Sequence, residues 1–302
     1  MHQARPTCGG SLSSTATRPS SGRDPYLCEG LTEVHLCRAA QGFEASQAVS
    51  LGHSVLMLHG LASAAECEAL RTDAVAGAAV ERVRASRESR IRMQLETLRE
   101  PSVALYDLLL LRACERVKDV LPTLLHDLFG ADCLDDATLV RNERLGFSSG
   151  EPAINVYQAG GSFKAHQDHQ SLTVLIPLSD GDTFVGGGTA FWSADQPLPE
   201  YGGSGVDGVL IGPPPAVELI PPAGTALLFV GSVTHAGTPI SSGERCVLVC
   251  SFSPATGRCD LDLAHSAHHG APPEIAAEHA PIEEEEQLDN SLLGSEKVVL
   301  LL

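Results

Sequence analysis

From about residue 150 the chain is written in short apolar or β-branched runs punctuated by Gly and Pro: "AINVYQ", "SLTVLIPL", "TAFW", "AVELI", "GTALLFV" and "RCVLVCSF". Many short strands with turn signals between them restrict the fold to a sandwich, barrel or jelly roll. No repeat of fixed period accompanies them. The region upstream reads differently. There "SVLMLHGLASAAECEALRTDAVAGA" gives a strand, a link, an N-cap at Ser63 with Glu66 three residues on, and an amphipathic helix. "PSVALYDLLLLRACERVKDVLPTLLHDLFG" gives a longer helix opened by Pro101 and Ser102, broken near Pro122 and closed by Gly130. Helices first and strands afterwards predict helices packed on one outer face of a β core.

Four zones follow. Residues 1–25 are a disordered or targeting segment, 26–135 a helical and mixed support region, 136–258 the β-rich core, and 259–302 an acidic, disordered tail. The first of these holds Arg5, Arg18 and Arg23, with no acid before Asp24. That composition suits a transit peptide or an unfolded terminus equally, and points to an intracellular, cytoplasmic or organellar protein. Nine cysteines without CxxC spacing read as reduced thiols, not a disulfide scaffold. With 43% hydrophobic residues, the chain still has no run approaching the roughly 18–20 apolar residues of a membrane span.

Net charge is −18, and the stretch 260–302 carries ten acids against the single base Lys297, so half of the charge lies in the tail. An acidic chain excludes nucleic acid as the main partner, because phosphate binding needs a positive footprint. The one basic run, Arg82, Arg84, Arg87, Arg90 and Arg92, reads as a solvated face in preference to a cleft for an acidic substrate.

Chemistry concentrates in "FKAHQDHQ". On an extended strand side chains two apart share a face, so His166 and Asp168 converge while Gln167 points away. His169 has the wrong parity and is expected at the rim or behind the ligands. Downstream within the β-rich region, the histidine in a strand-like context is His235, in "GTALLFVGSVTHAGTPI". Two His and one carboxylate make the facial triad of non-haem Fe(II) oxygenases, although Zn²⁺ and Mn²⁺ accept the same donors. Ten residues on, after the turn "SSGE", Arg245 opens the strand "RCVLVCSF". An antiparallel return would bring its guanidinium back to the barrel mouth. A buried Arg requires an anion, and a carboxylate matches its planar fork.

In order and spacing these elements resemble the catalytic domain of the 2-oxoglutarate and Fe(II)-dependent dioxygenases, in particular the prolyl 4-hydroxylase-like group. The pattern Y-x-x-G-x-x-[FY]-x-x-H-x-D is similar to "YQAGGSFKAHQD", with Tyr157, Gly160, Phe163, His166 and Asp168. GG-x-T-x-F is similar to the stretch with Gly187, Gly188, Thr189 and Phe191. The closing block is similar to "PPAGTALLFVGSVTHAGTPISSGER", with Gly224, Phe229, His235, Gly237, Gly243 and Arg245. The resemblance implies a mainly β fold with flanking helices (α+β), built on a double-stranded β-helix or jelly roll. It implies Fe(II) held by His166, Asp168 and His235. It further implies 2-oxoglutarate chelating that iron, its far carboxylate held by Arg245 and a hydrogen bond from Tyr157, with Leu175 in the wall or the core. O₂ is the oxidant and ascorbate an auxiliary reductant. The implied reaction hydroxylates a substrate C–H bond and releases succinate and CO₂, with a peptidyl proline, another protein side chain or a small molecule as substrate.

Two departures from the pattern stand out: Arg245 where many prolyl hydroxylases have Lys, and Pro177 where relatives place a hydrogen-bonding residue. The Gly- and Pro-rich loop at 193–215 reads as a lid or an insertion. Two other readings keep the same ligands: a non-catalytic, metal-retaining jelly-roll interaction module, and a zinc or manganese hydrolase, for which Arg245 has no role.

Overall fold

The computed structural model describes residues 30–84, 89–129, 145–197, 199–202 and 209–254. The expected targeting segment, Gly130, Arg87 and the acidic tail lie outside these. Fourteen strands and four α-helices follow in the order β1 (Leu31–His35), α1 (Ala45–Ser50), β2 (Ser54–Leu58), α2 (Ala64–Arg84), β3 (Arg90–Gln94), α3 (Glu100–Val120), α4 (Pro122–Phe129), β4 (Leu145–Phe147), β5 (Ala153–Tyr157), β6 (Phe163–His166), β7 (Leu172–Pro177), β8 (Phe184–Trp192), β9 (Glu200–Gly202), β10 (Val209–Ile211), β11 (Val217–Leu219), β12 (Ala226–Phe229), β13 (Thr234–Gly243) and β14 (Arg245–Pro254).

One sheet has the order β1-β2-β12-β7-β14-β5-β3, with β4 also paired to β14; the facing sheet has the order β11-β8-β13-β6. All pairings are antiparallel. From β5 onward the chain changes sheet at every step except from β8 to β11, and the β9–β10 hairpin is inserted there. Eight strands wound alternately into two four-stranded layers are a double-stranded β-helix. Three strands from the 26–135 zone extend it: β1 and β2 at one edge, β3 at the other.

Helices α1 and α2 pack against β2, β3 and β5, all in the larger sheet. β14 shows the consequence. Arg245, Val247 and Val249 face the interior cavity, while Phe252, of opposite parity, stacks on Phe129 of α4 with ring centroids 5.7 Å apart. A strand covered on both faces is apolar throughout, which is why "RCVLVCSF" does not alternate.

The helix starts follow local chemistry. The Ser63 backbone N–H donates to Glu66 Oε2 at 2.8 Å and the Glu66 N–H donates back to Ser63 Oγ at 3.3 Å, closing a capping box ahead of α2. α3 begins one residue earlier than expected, at Glu100, and Ser102 is drawn inward to donate to Asp73 Oδ2 at 2.6 Å. Leu121 separates α3 from α4 and Pro122 opens the latter.

The "SSGE" turn is a correction. Ser242 and Gly243 remain in β13, paired with Val185 and Phe184, and Glu244 alone links β13 to β14. Gly243, at φ +82, makes this abrupt reversal. β14 then pairs with β5 and β7 in the opposite sheet, which carries Arg245 across the barrel from β13.

Candidate active site

β6 carries His166 to the end of the smaller sheet, where its register partner is His235, near the start of β13. β6 stops at His166, so Asp168 lies beyond the ladder. The chain then turns through His169, a non-glycine residue at φ +56, whose N–H donates to Gly231 O at 3.2 Å. Gly231 is obligatory here, because a Cβ would lie 2.2 Å from Gln170 O. The Gln167 side chain donates to Ser232 O at 2.9 Å, tying the His166–Asp168 arm to the entry of β13. His169 is exposed and stands outside the cluster, as expected, although the turn beyond β6 and not strand parity puts it there.

One ligand atom from each of His166, Asp168 and His235 lies within 4.8 Å of the others. His166 Nε2 is 3.2 Å from Asp168 Oδ1, and His235 Nε2 is 3.6 Å from Asp168 Oδ2. Each imidazole Nδ1 faces a backbone carbonyl: Lys164 O at 2.9 Å for His166 and Val233 O at 3.3 Å for His235. Carbonyls only accept, so with Nδ1 turned to a carbonyl in each ring, Nε2 is the nitrogen left facing the carboxylate and available as a ligand. Three acceptors pointing at one another suit a cation between them, and the neutral-imidazole and carboxylate set fits Fe(II).

Protonation agrees. Burial pushes the His235 pKa down to about 4, against the opposing pull of Asp168, so the ring is neutral at pH 7. Burial alone would raise Asp168. The adjoining His166 ring, the neighbouring His235 and the Thr173 hydroxyl, which donates to Oδ2 at 2.6 Å, outweigh it and hold the carboxyl well below the usual range.

The triad lines one end of a cleft in the barrel, open to solvent, whose other walls include Tyr157, Phe163, Leu175, Thr189, Gly237 and Arg245. Arg245 is 4% exposed and lines the same cavity as the triad. Its Nη2 donates to Thr189 Oγ1 at 2.9 Å, and no carboxylate pairs with it among the described residues. Burial lowers its pKa, yet a guanidinium stays charged. Tyr157 is its register partner across β5 and β14, and the guanidinium lies 5.4 Å from that ring. Burial raises the Tyr157 pKa, so the phenol is a neutral donor. Gly237 keeps the cavity open: a Cβ there would meet Tyr157 Oη at 3.1 Å.

Sequence reasoning underrated part of the wall. Arg92 and Glu151, paired at 2.7 Å, line the cavity with Asn155. Arg90 donates to Asn155 at 2.9 Å and lies 4.3 Å from the Phe163 ring centroid. Two members of the basic run therefore belong to the site region, contrary to the expectation of a solvated face. Period two along β3 and β5 carries the signal, since Arg90 opposes Tyr157 and Arg92 opposes Asn155. Leu175 lines the cavity, whereas Pro177 is not among its lining residues.

No protein-family model matches the chain, and neither does any curated protein. Among solved structures it is similar to a Pseudomonas putida prolyl-4-hydroxylase, at 15% identity over 70% of this chain and 96% of that one, with a TM-score of 0.39. A prolyl hydroxylase from Trichoplax adhaerens, in complex with a hypoxia inducible factor peptide fragment, is similar at 12% identity over 69% and 86%, with a TM-score of 0.41. HygX from Streptomyces hygroscopicus, with nickel, 2-oxoglutarate and hygromycin B bound, is similar at 16% identity over 73% and 88%, with a TM-score of 0.40. Likenesses this distant carry no chemistry from one chain to another. Among the described residues, no helix is long and apolar enough to cross a membrane.

Proposed function

We propose that this chain is an Fe(II)- and 2-oxoglutarate-dependent dioxygenase that hydroxylates a C–H bond of its substrate. One observation carries the reading: a buried guanidinium without a carboxylate partner shares a cavity with a converging His, Asp and His. A dicarboxylate that chelates a metal at one end supplies the missing anion at the other. Neither a zinc hydrolase nor an interaction module needs that pairing.

His166, Asp168 and His235 would hold the metal, and bound Fe(II) would supply dioxygen activation for C–H hydroxylation as 2-oxoglutarate becomes succinate and CO₂. The chain's own residues do the rest. Backbone carbonyls engage Nδ1 of both imidazoles and leave Nε2 as the ligand, and Thr173 fixes the carboxylate. Arg245, steadied by Thr189, would anchor the far carboxylate, with Tyr157 donating a hydrogen bond from its neutral phenol. Leu175, Val247 and Val249 give the cavity an apolar wall.

The substrate we propose is a peptidyl proline or another protein side chain, on the strength of the motif order alone. Incubation with Fe(II), ascorbate, 2-oxoglutarate and candidate peptides tests both levels. Succinate formation supports the class of enzyme, and a mass gain of one oxygen on a peptide supports the substrate. Failure to consume 2-oxoglutarate under any substrate removes the proposal.

A further inference from the structure

A second group of ligand-type side chains lies outside this cavity. Cys37, between β1 and α1, His53, in the turn before β2, and Asp195, just past β8, each bring one ligand atom within 4.8 Å of the other two. We propose that they form a second metal site, for a thiophilic divalent cation of the zinc class. Thiolate, imidazole and carboxylate are the donors that Zn²⁺ takes, and a fourth position is left for water.

The backbone builds this site without the metal. Leu36 N–H donates to His53 O at 2.7 Å, holding the residue before Cys37 against His53. Ala194 N–H donates to Gly52 O at 3.0 Å, holding the residue before Asp195 against the one before His53. Ser193, fully buried, places its Oγ 3.1 Å from His53 Nδ1, and Phe43 stacks on the ring with centroids 6.0 Å apart. With Nδ1 engaged by the hydroxyl, Nε2 is the nitrogen left for a ligand, an orientation enforced from behind as in established metal sites. Cys37 is half-buried and Asp195 exposed, which gives an ion a path in.

The location gives the ion a task. A Cβ on Gly52 would meet Ala194 Cβ at 2.6 Å and Ser232 Oγ at 3.1 Å, so this junction rests on the turn that leads into His235. A metal here would clamp the start of the 193–215 insertion to the β1–β2 hairpin, beside the entry of β13. Its role is structural, and it needs neither iron nor 2-oxoglutarate.

Co²⁺ is the probe, because thiolate-to-cobalt charge transfer absorbs in the near ultraviolet and the His166–Asp168–His235 site contains no sulfur. The full-length protein titrated with Co²⁺ is expected to develop this band. Cys37→Ser should abolish it, His53→Gln should abolish it if the serine variant does not fold, and Asp195→Asn should require at least tenfold more Co²⁺ to reach it. His235→Ala should leave it intact. A wild-type protein without the band, or a band that survives Cys37→Ser, overturns the proposal.

Discussion

Arg245 donates to the Thr189 hydroxyl at 2.9 Å and, among the described residues, to no carboxylate, although it is 4% exposed. A charge desolvated to that degree is expensive unless something answers it. Arg245→Ala should therefore raise the 2-oxoglutarate concentration needed for half-maximal turnover by about 10- to 100-fold, the loss of one charge-assisted hydrogen-bonding group of about 1.5–3 kcal/mol. Metal affinity should change less than about threefold. Arg245→Lys should recover part of the loss, since a point charge replaces a fork. Steady-state kinetics with 2-oxoglutarate varied at fixed iron checks all three.

Thr173 would act on a bound metal through Asp168, whose Oδ2 accepts its hydroxyl at 2.6 Å. Thr173→Val keeps the shape and removes the donor. The expected result is a metal affinity lower by about 10- to 100-fold, the usual cost of losing a group that orients a ligand. Competition against a metal chelator measures it, and circular dichroism confirms the fold.

Gly237 lines the cavity beside Tyr157 and Phe163. Gly237→Ala would set a methyl 3.1 Å from Tyr157 Oη and 3.3 Å from Phe163 Cβ, both tighter than ordinary contact. Binding of 2-oxoglutarate should weaken by about tenfold, on the scale of a 1–2 kcal/mol overpacking cost. Metal binding should persist. Parallel calorimetric titrations with each ligand separate the two effects.

Glu66 ties α2 to α3. Its carboxylate accepts from Arg112 at 3.0 and 3.1 Å, as well as from the Ser63 N–H and hydroxyl, and these bonds depress its pKa to about 2, the Arg112 hydrogen bonds contributing most. A carboxylate with a depressed folded-state pKa stabilises above its unfolded value near 4.3 and loses that contribution as pH falls towards 2. Arg112 is partly exposed, so the full shift is discounted for solvent, leaving about 1–2 kcal/mol. Glu66→Gln should lower unfolding free energy by that amount at pH 7. The gap from wild type should narrow below pH 4.5 and close towards pH 2 in urea titrations.

Much of this was legible in the sequence, for physical reasons that differ by element. β5, β7, β12 and β14 are buried on both faces and therefore announce themselves as apolar runs. β13 does not. "THAGTPISSG" has the composition of a loop, and only pairing with β8 on one side and β6 on the other makes it a ten-residue strand. The His166–Asp168 arm was readable from side-chain parity, although β6 ends before Asp168 and a left-handed His169 completes the turn. Arg245 was legible as the residue that opens an apolar strand after a turn, although the link is the single residue Glu244 and β14 lies in the opposite sheet. Cys37, His53 and Asp195 left no signal, because two backbone hydrogen bonds, the Ser193 contact to the His53 ring and close approaches at Gly52, none of them visible as spacing, bring them together.

The most direct test of the central claim is calorimetric titration of 2-oxoglutarate, without oxygen, into the Fe(II)-loaded protein, the metal-free protein and the Arg245→Ala variant. One cavity that joins a metal to a lone guanidinium predicts tight binding to the first, and binding weakened by at least tenfold in each of the others. Equal affinity in all three, or no binding to the Fe(II) form, would contradict it.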